Sequence, residues 1–345
     1  MRTAVFPRLF AKAGTVLIPL AVAVLVNVCP VDLQAQQVPD RLSPALQAAI
    51  VDSVAASLIQ TYIFLETAEE MAGFIRSRVA AGGYDDHAAP QDFTRQLTAD
   101  LQSISHDLHL RVNVRQPAPA SAEPIPVEEQ IRRRNESLRR ENYRFQKVEI
   151  LPGNIGYLKF NNFIEAELAG ATAVAAMNFL ANADAIIIDL RENGGGAPSM
   201  IQLLSSYFFA QPVHLNSFYI RQTDEWEQYW SYAHVTGPRM TDTPLYILTS
   251  SLTFSAAEEF TYNMKNLERA TLVGETTRGG AHPVTGAIFE FEGFAISVSL
   301  PFGRAVNPVT GTNWEGTGIE PHIAVTADEA LERALEEARR RLSER

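Results

Sequence analysis

Apolar positions recur every three or four residues from Ser43 to about Ser105: Leu46, Ile50, Val54 and Leu58, then Ala68, Met71, Ile75 and Val79, then Phe93, Leu97 and Leu101. That period is helical and predicts three helices, the second stopped at Gly82-Gly83 and the third started by Pro90. Residues 108–114 alternate as a strand does. Residues 117–126 read as a proline-alanine linker, and a charged helix follows over about 127–142. From Val148 strands and helices alternate. Strands are predicted over 155–160, 185–190, 245–249, 270–273 and 294–300, and helices over 165–182, 198–209 and 255–267. Alternation of this kind predicts an α/β domain with parallel pairing and crossover helices. An amphipathic helix over 327–342 packs on the outside.

The chain start follows a different pattern. Arg2, Arg8 and Lys12 precede an apolar run over about 13–28, and Leu33-Gln34-Ala35 puts a small residue before Gln36. This is the layout of a secretory signal peptide, with a retained anchor as the alternative. The expected organisation is therefore a signal peptide (1–35), an N-terminal helical domain ending in a strand (36–115), a linker and charged helix (116–146), a catalytic α/β domain (147–326) and a C-terminal helix (327–345). No later stretch is long and apolar enough to span a membrane. The one cysteine, Cys29, lies in the signal, so a chain cut after Ala35 has no thiol for a disulfide, a nucleophile or a metal ligand. The expected location is the bacterial envelope: periplasmic or secreted.

With 46% hydrophobic residues the 345-residue chain can bury a core, which excludes a disordered protein. The formal net charge of -11 becomes -13 once three basic residues and Asp32 leave with the signal. No basic face is evident, which argues against a nucleic-acid partner.

Three segments carry candidate chemistry. The first, Asp189-Leu190-Arg191-Glu192-Asn193-Gly194-Gly195-Gly196, follows an apolar strand and precedes a helix. Glycines there let backbone N–H groups approach a ligand, as in an oxyanion hole; without Gly-Lys-Ser/Thr or Gly-x-Gly-x-x-Gly spacing a nucleotide loop is disfavoured. The second runs from Thr249 to Phe260, where Ser255 opens a helix and Glu258 takes the capping-box position. Ser255 reads either as a helix cap or as a nucleophile at the positive end of the helix. The third, Asn313-Trp314-Glu315-Gly316-Thr317-Gly318-Ile319-Glu320-Pro321, sets Glu315 in a glycine-flanked loop, by default a solvated one.

In this order the segments resemble the carboxy-terminal processing (tail-specific) serine peptidases, a group that includes the tricorn catalytic core and the repeats of interphotoreceptor retinoid-binding protein. The resemblance runs from about Tyr62 to Val325, and Asp107-Leu108-His109-Leu110 is most similar to the retinoid-binding-protein branch. It implies a ClpP/crotonase-like β-α fold with Ser255 as nucleophile, the amides of Gly195 and Ala256 as the oxyanion hole, peptides or protein tails as substrates, and no cofactor or metal. Between the strand at Leu110 and Val148 there is no room for the PDZ domain that many members carry. Those enzymes use a Ser-Lys dyad, but Gly280 stands where the lysine belongs, and Lys265 is ten residues along one helix from Ser255, roughly 15 Å away.

A histidine must then activate the serine. His87, His214 and His234 are expected in solvated loops or helices, and His322 at an exposed turn. His106, His109 and His282 compete. The branch that uses Ser-His-Glu implies His109 as base and Glu315 as its orienter, with His282 as the alternative. A histidine near its ordinary pKa makes kcat/KM fall as pH drops through roughly 6 to 7. Two rival readings are a non-catalytic binder of small apolar ligands and, by fold analogy alone, a crotonase-type lyase or hydratase. The oligomeric state is not legible.

Overall fold

The computed structural model describes residues 38–115, 125–291 and 293–344. The expected signal peptide and most of the linker at 117–126 lie outside them. In chain order come helices α1 (Pro44–Thr61), α2 (Leu65–Ala80) and α3 (Pro90–Ser105), strand β1 (Arg111–Arg115) and helix α4 (Val127–Arg140). Strands β2 (Phe145–Leu151) and β3 (Ile155–Phe160), helix α5 (Ala166–Leu180), β4 (Ala185–Asp189) and α6 (Pro198–Ser205) follow. Then come β5 (His214–Ile220), β6 (Glu225–Trp230), β7 (Leu245–Thr249), α7 (Ala256–Asn266) and β8 (Thr271–Gly274). The last elements are β9 (Val284–Phe291), β10 (Phe294–Pro301), β11 (Gly303–Val306), β12 (Ile323–Ala324) and α8 (Ala330–Ser343).

The central sheet has the order β12-β8-β7-β4-β3-β2, with all pairs parallel except β2 against β3. Its strands alternate between two cores. Ile186, Ile188, Leu245 and Ile247 face α5, α6 and α7, while Ala185, Ile187, Tyr246 and Leu248 face α8. Burial on both faces explains why β4 and β7 read as unbroken apolar runs. Helix α8 meets the sheet through Ala330, Ala334 and Ala338, small residues one turn apart that let the helix sit close. The mixed α/β architecture is the one expected.

One expected strand sits elsewhere. Residues 294–300 do not join the parallel sheet: β10 pairs antiparallel with both β1 and β9. The strand's Phe294, Ile296, Val298 and Leu300 share a core with α1, α2 and α3. The N-terminal helices therefore do not own their core, because a strand from the 147–326 segment closes it. A third sheet, β11-β5-β6, was not foreseen; β6 is exposed along nearly all its length, its aromatics Trp226 and Trp230 included, and has no buried face for a pattern to mark. His214, expected in solvent, is in β5, half-buried, bonded to Ser217 Oγ at 2.9 Å and stacked on Trp230.

Phe294→Ala removes a ring that is wholly buried between β10 and the helices. The variant is expected to lose about 3–5 kcal/mol in urea unfolding, with hydrogen exchange accelerating in α1–α3 as well as in β10. Exchange confined to β10 would mean that the helices fold independently of it.

Candidate active site

Two adjacent parallel strands, β4 and β7, end side by side, and each runs into a turn that opens a helix. Ligand sites in open α/β sheets form at this end. The first turn is locked from below. Asp189 accepts from Tyr157 Oη at 2.6 Å and from two nitrogens of Arg191, whose third nitrogen donates to the Ala327 carbonyl. Asn193 Nδ2 donates to the Phe160 carbonyl at 2.9 Å, and the Phe254 amide donates to the Asn193 carbonyl at 3.1 Å. Thr253 Oγ1 reaches the Leu190 carbonyl at 2.8 Å. The two turns are thus sewn together through backbone.

Their contact is closest at Gly195. A Cβ there would lie 2.7 Å from Ser255 Cβ and 3.0 Å from the Ala256 nitrogen, so only glycine lets the turns meet. The Gly195 amide, expected in the oxyanion hole, donates instead to Asn193 Oδ1 at 2.9 Å. Its neighbour Gly196 forms a parallel bridge with Phe163, in which the Gly195 carbonyl and the Ala197 amide carry both hydrogen bonds. The amide of Gly196 therefore points away from Phe163. Gly196, Ser255 and Ala256 line one cavity.

Ser255 precedes α7 with φ 56° and ψ −124°, a conformation that disfavours any side chain. Its amide donates to Glu258 Oε2 at 2.9 Å. Glu258 is buried and accepts further from Thr277 Oγ1 at 2.6 Å and from the amides of Gly279 and Gly280 at 2.6 and 2.9 Å. Burial pushes its carboxyl above the usual range against the pull of these donors. The glycine turn it holds is clamped on the other side by the third segment. Trp314 Nε1 donates to the Gly280 carbonyl at 2.8 Å, and the Ala281 amide donates to Glu315 Oε2.

Glu315 is consequently not a solvated loop carboxylate. Burial, with Asp107 nearby, raises it to about 7 against the opposing pull of His282. His282 Nδ1 lies 2.7 Å from Asp107 Oδ2 and 3.6 Å from Glu315 Oε2. Burial alone would lower the His282 pKa, but the two carboxyl groups raise it above the ordinary value. The pairing partner Asp107, which also accepts from the His109 amide at 2.9 Å, carried no signal in the sequence beyond its place in Asp107-Leu108-His109-Leu110.

His109 is 7% exposed, and its ring packs on Phe254, the neighbour of Ser255, at 4.4 Å between centroids. Neither ring nitrogen has a hydrogen-bond partner among the described residues. Burial lowers its pKa to about 4, so the ring is neutral at neutral pH. A Cβ at Gly280 would fall 2.2 Å from Phe254 Cε2 and 2.7 Å from His109 Cε1, so the imidazole occupies the space in front of the residue that replaces the lysine. The three lysines of the described residues are engaged elsewhere: Lys265 Nζ donates to the Glu320 carbonyl at 2.7 Å, and Lys147 and Lys159 pair with Glu149 and Glu192. His106 ends α3 at φ 54° in solvent, and the ring of His322 accepts from the Leu272 amide. By donor type Asp107, His109 and Glu315 could hold a cation, with ligand atoms within 4.8 Å of one another. Both Asp107 oxygens, however, already accept hydrogen bonds from Tyr62, His282 and the His109 amide.

Glu258→Gln keeps the shape of the side chain but turns an amide NH2 toward N–H donors. A loss of about 2 kcal/mol in urea unfolding is expected, by the cost of an unmet buried donor. Unchanged stability would mean that the four donors find other partners.

Residues 154–325 match the model of peptidase family S41, and residues 35–152 match that of the N-terminal domain of Peptidase_S41 in eukaryotic IRBP. Among solved structures, a candidate peptidase from Parabacteroides merdae is 16% identical, with a TM-score of 0.56 over 86% of this chain and 97% of that one. The tricorn protease is 12% identical, with a TM-score of 0.50 over 86% of this chain and 37% of that one. A candidate S41 protease from Bacteroides fragilis is 20% identical, with a TM-score of 0.47 over 55% of this chain, which spans only about half (52%) of that protein. The first two likenesses speak to the fold, whereas the two family models together account for nearly all of the described residues. The chain belongs to peptidase family S41, a family of serine peptidases.

Proposed function

We propose that this protein hydrolyses peptide bonds in peptides or protein tails, with Ser255 as nucleophile, His109 as general base and Glu315 as the group that orients and stabilises the imidazolium. The observation that carries this reading is the backbone of Ser255. A serine that only caps a helix sits in the extended region. Ser255 is held at φ 56°, ψ −124°, at a cost of about 1–3 kcal/mol. A sharp strained turn of this kind exposes a nucleophile above a helix N-terminus. His109 is favoured over His282 by three properties: ring nitrogens that make no hydrogen bond among the described residues, with Nδ1 3.9 Å from Asp107 Oδ1, a neutral ring, and its place before Gly280. His282, bound to Asp107 and raised in pKa, instead acts as a cation that holds Glu315 in position.

In this mechanism His109 takes the Ser255 proton as Oγ bonds to the peptide carbonyl carbon. The amides of Ala256 and Gly196 receive the tetrahedral oxyanion. The imidazolium returns the proton to the leaving amine, and water then hydrolyses the acyl-enzyme by the same steps.

Ser255→Ala is expected to abolish turnover of a peptide substrate while the variant stays folded. His109→Ala is expected to cost several orders of magnitude, and His282→Ala less, by comparison with triad knockouts. Near-normal rates in folded His109→Ala would reassign the base. The pH profile differs from that of an ordinary histidine, because burial moves His109 to about 4 and Glu315 to about 7. As pH falls, Glu315 protonates first and stops stabilising the imidazolium; His109 protonates later. kcat/KM is expected to fall first near pH 7 and again near pH 4, and Glu315→Gln removes the upper limb and leaves the lower. A Glu315→Gln profile with its limb still near 7 would assign that ionisation to another group.

Export follows from the positive start and apolar run before Gln36. N-terminal sequencing of the protein recovered outside the cytoplasm is expected to begin near Gln36; a start at Met1 in the membrane fraction would favour the anchor.

A further inference from the structure

We propose that the cavity beside Ser255 selects a lysine or arginine at the residue whose carbonyl is attacked, and that Glu259 is the carboxylate that recognises the cation. The inference rests on the peptidase reading above and adds the substrate preference of that site.

The cavity has a volume of about 330 Å³, and Gly196, Ser255 and Ala256 belong to its lining. A carbonyl oxygen received by the Gly196 and Ala256 amides therefore carries its own side chain into this space. The walls are apolar: Phe218, Ile220, Tyr229, Phe302 and Trp314. Glu259 also lines the cavity, although it is only 4% exposed, which places it deep. Its amide donates to the Ser255 carbonyl at 2.9 Å, so it stands one helical turn below the nucleophile, roughly 6 Å along α7. That depth suits a long stem that ends in a cation, with methylenes along apolar walls and charge at the far end.

The chemistry at the bottom is unfinished without such a ligand. Asn216 and Asn263 face Glu259 and act on its carboxyl as hydrogen-bond donors, but Glu259 Oε1, both polar side-chain atoms of Asn216 and Asn263 Nδ2 reach no partner at full hydrogen-bond distance among the described residues. Orphaned buried polar atoms are rare and costly, and they cluster where a ligand completes them. Burial raises the Glu259 carboxyl to about 8, and contact with a cation restores the ionised form. Glu227 adds a second carboxylate to the lining, its Oε2 accepting from Tyr229 Oη at 2.9 Å. His282 lines the same cavity, but its ring is tied to Asp107. An apolar side chain would fit the walls but bring the buried carboxyl no donor beyond the two amides. A carboxylate at the end of an otherwise apolar pocket is also how one class of serine protease selects basic residues.

The test uses the purified full chain on a complex peptide mixture, with cleavage positions read by mass spectrometry. Cleavage after lysine and arginine is expected. On matched peptides that differ only in that residue, the kcat/KM ratio of arginine to leucine is expected to be about 100-fold or more and to fall to near one in Glu259→Gln. The thermal transition of the variant shows that it is folded, and the wild-type cleavage map stands whether or not it is. Cleavage after apolar residues by a protein whose Ser255 is labelled by a fluorophosphonate overturns the pocket assignment and leaves the peptidase reading intact. A ratio that persists in folded Glu259→Gln overturns it too. If wild-type protein neither cleaves nor is labelled, the peptidase reading falls and takes this proposal with it.

Discussion

Burying a carboxyl group is costly unless donors surround it, and Glu258 is buried with four. One of those donors belongs to the Ser255 turn, and the other three belong to the 277–280 loop. The same loop offers its Gly280 carbonyl to Trp314 and its Ala281 amide to Glu315, and it leads directly to His282. Trp314, Glu315 and His282 are placed by reference to that loop. A capping residue, whose ordinary task is local, is here the joint between the serine side and the histidine side of the site.

Because the joint is rigid, the site can hold several ionisable groups at close range in unlike environments. His109 is buried and Glu315 half-buried, and desolvation moves the acid up and the imidazole down. Their ordinary order is reversed, with the carboxyl titrating above the imidazole. His282, between Asp107 and Glu315, is the one ring whose environment favours charge. Divergent environments for neighbouring titratable groups are how a site divides acid and base roles.

Local signals were readable where they were strong. The helical period marked α1–α3, and apolar runs marked β3, β4 and β7, because their burial depends on nothing but the pattern itself. The pairing of β10 was not readable: its alternation marks one buried face but not the sheet it joins, which its neighbour β9 and β1, far back in the chain, decide. Motif order singled out Ser255, the Gly195 turn, Glu315 and the missing lysine at Gly280. It could not show which glycine amide is free, because that depends on the bridge at Phe163. Asp107 and Glu259 passed unremarked as site residues, since a carboxylate takes its meaning from what faces it in space. Glu315 looked solvated because a glycine-flanked loop usually is, and the clamp through Trp314 reverses that.

The hydrogen bond between Asp107 and His282 joins positions 175 residues apart. Closing a loop of that length is entropically slow relative to forming neighbouring turns. The serine turn and its glycine partner belong to adjacent strands of one sheet, whereas the histidine of the N-terminal segment arrives only when β1 docks on β10. Until β1 pairs with β10, the turns at Gly196 and Ser255 can meet while His109 is still apart from Phe254. The pairing of two strands thus decides whether these two rings are ever assembled on the same side of the molecule, so a lesion in β1 or β10 is felt at Phe254 although neither strand touches it in sequence.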